Sequence, residues 1–136
     1  MSDPADTPAG PDARLVAVRP LLLDLHRQML EAERADVERF QGRLADAEFL
    51  QIATGGLRMA WLTPLSELIV ALDEALEGPA DEAAQVDATA IIARVSALIA
   101  PPDPATAFGR RYLVMLQQNP AVVMAHSALV ARVSQA

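Results

Sequence analysis

Apolar residues recur at helical spacing along most of this chain, and no stretch shows the strict alternation of a half-buried strand. Between about Pro20 and Gln41, at roughly 100° per residue, Leu21, Leu22, Leu23, Leu25, Met29, Leu30, Val37 and Phe40 form one broad apolar arc. Arg27, Glu31, Arg34 and Glu38 form the opposite stripe, Leu15 and Val18 suit a preceding turn, and Gly42 stops the helix. A short second helix is read as capped by Asp46 and ended by Gly55 and Gly56. The third, from Pro64, sets Leu65, Leu68, Ile69, Leu72 and Leu76 against Glu67, Asp73, Glu74 and Glu77, and ends at Gly78 and Pro79. The fourth, about Glu82 to Ala100, packs Ile91, Ile92, Val95, Leu98 and Ile99, and carries Val86, Ala90, Ala93 and Ala97 on its other side. A fifth helix buries Phe108, Tyr112, Met115 and Leu116, and a sixth runs from Asn119 to about Ser134.

Three helix starts share one signature, a cap-forming residue directly before proline: Thr63-Pro64, Asp103-Pro104 and Asn119-Pro120. The side-chain oxygen accepts from free N–H groups, while proline occupies the first turn, where no donor is needed. The connections are only a few residues long, so sequential helices are antiparallel neighbours. The expected fold is an all-α, antiparallel helical bundle of about six helices, four longer and two short accessory ones. Residues 1–13, rich in Pro, Asp, Ala and Gly, read as a disordered tail ahead of a single helical-bundle domain over 14–136.

Charge narrows the classes of function. A net charge of −7 lacks the basic stripe that phosphate binding requires, so nucleic acid is excluded as a partner. All eleven basic residues are arginines, and every acidic residue lies at or before Asp103, which leaves the last two helices with arginine alone. The uncharged stretch from Tyr112 to Ala131 is long enough to span a bilayer, but Gln117, Gln118, Asn119 and Pro120 interrupt it, so no membrane span is expected. Cysteine is absent, which removes disulfides, thiolate metal sites and cysteine nucleophiles together. With no signal-like start, the chain reads as cytoplasmic.

The pairing of LLLDLHRQMLEAERADVERF with AWLTPLSELIVALDEAL, with a looser echo in RRYLVMLQQNPAVVMAHSALV, resembles a group of short uncharacterised bacterial all-helical proteins. Trp61, Pro64, Ser66 and Glu67 make the match. The resemblance implies a helical fold and carries no catalytic motif.

Candidate chemistry lies in polar residues that interrupt apolar arcs. His126 falls among Val122, Val123, Leu129, Val130 and Val133, while His26, Glu33 and Asp36 fall on the arc of the first helix. A buried charge is costly unless paired, so these four residues either line a site between the first and sixth helices for a polar small molecule or metal, or are satisfied internally. In the second case the histidines bond carbonyl groups, the carboxylates pair with Arg58, Arg94 or Arg111, and His126→Leu preserves or raises stability. His26 and Glu33 lie about 10.5 Å apart along a helix, too far to share one ion, and no metal or cofactor is assigned. No catalytic set can be assembled: serines fall inside helices, and Gly55-Gly56 lacks the strand and Lys-Ser/Thr of a phosphate loop. Trp61 reads as a core plug beside the helix start at Thr63 and Pro64, with a partner-binding hot spot as the alternative.

The resulting expectation is a non-catalytic interaction module that forms a homodimer or binds a protein partner, with the ligand-binding bundle as the alternative. Candidate interface residues are Met124, Ala128 and Ala131 on the sixth helix and Ala90, Ala93 and Ala97 on the fourth. These two faces either cover each other within one chain or meet a second copy in a two-fold dimer.

Overall fold

The computed structural model describes residues 11–55 and 57–136, excluding the side chains of Phe40 and of residues 53–58. The described residues form six α-helices and no strand: α1 (Ala13–Gln41), α2 (Asp46–Gly55), α3 (Thr63–Glu77), α4 (Glu82–Ile99), α5 (Ala107–Gln118) and α6 (Pro120–Ser134), with a 3₁₀ helix (Leu57–Leu62) leading directly into α3. Helices α1, α3, α4 and α6 form a four-cornered bundle: α1 packs on α6 and α3, and α4 packs on those same two. The core between them is built from Leu15, Val18, Leu22, Leu25 and Met29 of α1, Leu65, Leu68 and Leu72 of α3, Ile91, Val95 and Ile99 of α4, and Val122, Ala125 and Leu129 of α6. Helix α2 covers a separate small cluster of Val37, Leu44, Phe49 and Met59 near the end of α1.

Several boundaries differ from the periodicity reading, each for a physical reason. Helix α1 begins at Ala13, ahead of Pro20, and runs through that proline. A proline inside a helix costs about 3 kcal/mol. Burying Leu15 and Val18 returns roughly 1.5–3 kcal/mol each, and Asp12 caps the start by accepting from the N–H of Arg14 at 2.9 Å. The earlier start therefore wins. Residues 1–10 of the expected tail, the Phe40 side chain and Gly56 lie outside the described residues.

Helix α3 has no side-chain cap, because Leu62 at the cap position is already helical (φ −83°, ψ −10°) and an N-cap needs extended backbone. Thr63 is thus a first-turn residue. Helix α5 starts at Ala107 rather than directly after Asp103, and its cap is Thr106, whose hydroxyl accepts from the N–H of Gly109 at 2.9 Å. Asp103 instead organises the preceding turn, accepting from Ala105 at 2.9 Å. Gly109 is buried beneath that turn, and a Cβ added to it would collide with the backbone of Asp103. Asp46 lies in the first turn of α2 rather than ahead of it. At α6 the signature holds in full: Asn119 has extended backbone and its side chain accepts from Ala121 at 3.0 Å and Val122 at 3.2 Å.

Candidate functional site

The four polar residues read as one site between α1 and α6 are held in three separate places. Glu33 and Asp36 sit one turn apart on α1, and both face α5, where Arg111 reaches them. The Arg111 guanidinium donates to Glu33 through Nε at 3.1 Å and again through Nη2, which also donates to Asp36. Glu33 is buried, 4 % exposed, so its charge requires this kind of pairing. Asp36 lies nearer the surface and meets Arg39 as well, at 3.4 Å. The arrangement fastens the second half of α1 to the start of α5.

His26 faces α3. Its Nε2 lies 3.1 Å from Ser66 Oγ, and Ser66 in turn donates to the Leu62 carbonyl at 3.4 Å. Burial holds the His26 pKa below the ordinary histidine value.

His126 turns toward α5, where its Nδ1 is hydrogen-bonded to the Tyr112 hydroxyl and the rings meet edge to face with centroids 5.4 Å apart. Tyr112 is fully buried, and burial pushes its hydroxyl above the ordinary tyrosine range, so it stays protonated. Burial also lowers the His126 pKa, which favours the neutral imidazole. Phe108 stacks on Tyr112 at 5.5 Å, and Trp61 lies against Phe108 at 6.1 Å. A row of four rings thus joins the 3₁₀ helix, α5 and α6. Trp61 is half-buried at the edge of the core, and its Nε1 is buried without a hydrogen-bond partner. The sequence placed Tyr112 and His126 on apolar arcs, but their pairing depends on how the α5–α6 hairpin folds back on itself.

The α1–α6 pairing is the most extensive of the bundle and is packed with core side chains; the hollow of about 220 Å³ that these helices share lies at the start of α1, lined by Ala13, Arg14, Ala17, Arg132 and Gln135 and by none of the four candidate residues. Among the described residues, no group of three or more His, Asp or Glu is placed to hold a metal ion. Of the carboxylate partners anticipated, Arg111 is used; Arg94 lies exposed on α4, and the Arg58 side chain is outside the described residues.

The outer faces of α4 and α6 do not cover each other, which removes the intrachain arrangement. Ala90, Ala93 and Ala97 are exposed, as are Ala128 and Ala131. Val86 is 69 % exposed and Met124 is 73 % exposed. No helix among the described residues is long and apolar enough to cross a membrane. Comparison with known proteins finds no matching family model, no matching curated protein and no matching solved structure.

Proposed function

We propose that this chain is a non-catalytic helical interaction module of the cytoplasm that self-associates, with a homodimer as the first assembled species. The observation that carries the reading is the outer face of α6, where Met124, Ala128 and Ala131 are left exposed beside a core already closed by Val122, Ala125 and Leu129. Apolar side chains on a helix's outer face gain from burial that only another molecule supplies. The internal pairing of the polar residues supports the same reading. His26, Glu33, Asp36 and His126 each bond within the chain, to Ser66, Arg111 and Tyr112, which weakens the case for a ligand-binding bundle.

Light scattering at tens of micromolar tests the proposal. The expected mass exceeds that of the 14.5 kDa chain and falls back to it in Ala131→Glu, because a charge would be buried on association. A wild-type mass of 14.5 kDa across the concentration range overturns the reading.

A further inference from the structure

The opposite side of the bundle carries a surface that complements α6. Between α3 and α4 lie two hollows of about 350 and 300 Å³ that meet at Arg94, which lines both, and together mark the groove between these helices. Its walls carry the small side chains Ala71, Ala90 and Ala97. Glu67, Glu74 and Asp87 lie along its edges, all exposed. From Asp87 to Ala97 the α4 wall is about 15 Å long. The ridge from Met124 to Ala131 on α6 is about 10 Å long by the same rise, and it fits within that length.

Charge distinguishes the possible pairings. Helices α5 and α6 contain no acidic residue, and Arg132 is exposed at the end of α6. Two α6 faces brought together would offer Arg132 no opposite charge, whereas the α3–α4 lining carries three acids, Glu67, Glu74 and Asp87, against the single Arg94. Placing α6 of one copy against α3–α4 of another joins opposite signs, and such complementarity selects orientation more than it adds affinity.

We propose that α6 of one copy lies in the α3–α4 groove of a second copy, a head-to-tail contact in which Met124, Ala128 and Ala131 enter the groove and Arg132 faces its acidic rim. This contact rests on the self-association proposed above. It leaves one groove and one α6 free in each dimer, so assembly continues as concentration rises.

Two single variants of the full chain test it, Ala128→Glu on the ridge and Ala90→Glu in the groove, both at exposed helix positions, with circular dichroism and melting confirming that each folds as wild type does. Each alone should remain at 14.5 kDa by light scattering, while their equimolar mixture should form a species of twice that mass, because one intact ridge meets one intact groove. If Ala90→Glu still self-associates alone, or if the mixture stays monomeric, the head-to-tail contact is overturned while self-association stands. A wild-type chain that is monomeric at every concentration overturns both.

Discussion

His126 shows how far a residue's role depends on what it meets. Read as a lone polar group on an apolar arc, it is replaceable by leucine. Its actual neighbour is the hydroxyl of a fully buried tyrosine, so His126→Leu leaves Tyr112 without this hydrogen-bond partner, at a cost of about 1–3 kcal/mol. Tyr112→Phe in the same chain removes the stranded hydroxyl, and urea unfolding of the double variant should recover most of that loss. Smaller recovery would mean that His126 contributes chiefly through packing. Burial depresses the pKa of both histidines, so the unfolded chain binds protons that the folded chain refuses. Their contribution is present above about pH 6.5, the ordinary histidine value, and is lost as pH falls through the depressed folded values. The urea midpoint should therefore decline between pH 7.5 and 5, and the decline should be shallower in His126→Leu/Tyr112→Phe. For Arg111, whose guanidinium binds buried Glu33, Arg111→Met should cost about 1.5–3 kcal/mol, as expected for hydrogen bonds to a charged group.

At the level of the helix, the three proline-marked starts separate into three behaviours. Asn119 caps α6 through two N–H groups, Thr106 rather than Asp103 caps α5, and Thr63 caps nothing. Thermal melts should rank alanine substitutions accordingly: Asn119→Ala and Thr106→Ala each cost about 1 kcal/mol, and Thr63→Ala changes stability by no more than about 0.5 kcal/mol. Equal losses at all three would contradict the helical backbone at Leu62. Gly109 gives a sharper test, because the Asp103 turn lies where a Cβ would go. Gly109→Ala should destabilise by about 3 kcal/mol or more, despite alanine's better helix propensity, since backbone rather than a flexible side chain must move. Gly42, at φ +80° and ψ 176°, occupies a region essentially confined to glycine, so Gly42→Ala should cost about 1–3 kcal/mol.

Across the whole molecule, the rings of Trp61, Phe108, Tyr112 and His126 tie the 3₁₀ helix and α5 to the bundle, whereas α2 rests on its own small cluster. Trp61→Ala should cost about 3 kcal/mol by opening this row, while Trp61→Phe, which removes the unpartnered indole N–H, should cost much less. Equal losses in the two variants would show that indole volume outweighs the buried donor. The charge asymmetry acts at the same scale: acids line α3–α4 and are missing from α5 and α6, so the mass read by light scattering for the proposed head-to-tail assembly should fall as salt is raised.

The sequence alone determined that the chain is all-helical and which face of most helices is buried, because helical periodicity is a local property: Leu65, Leu68 and Leu72, or Val122, Leu129 and Val133, mark a core face whatever they pack against. Asn119 and Pro120 were legible for the same reason, since a cap and its N–H partners lie within three residues. Only the tertiary structure decided which elements share an interface. Val18 and Leu15 continue α1 through Pro20 because the bundle offers them a core, and Gly109 is required because a turn six residues away folds onto it. Glu33 and Arg111 lie 78 positions apart, and His26 and Ser66 lie 40 apart. The apolar arcs announced that such polar residues need partners, but choosing among the arginines, or between a carbonyl and a tyrosine hydroxyl, required the helices to be in place.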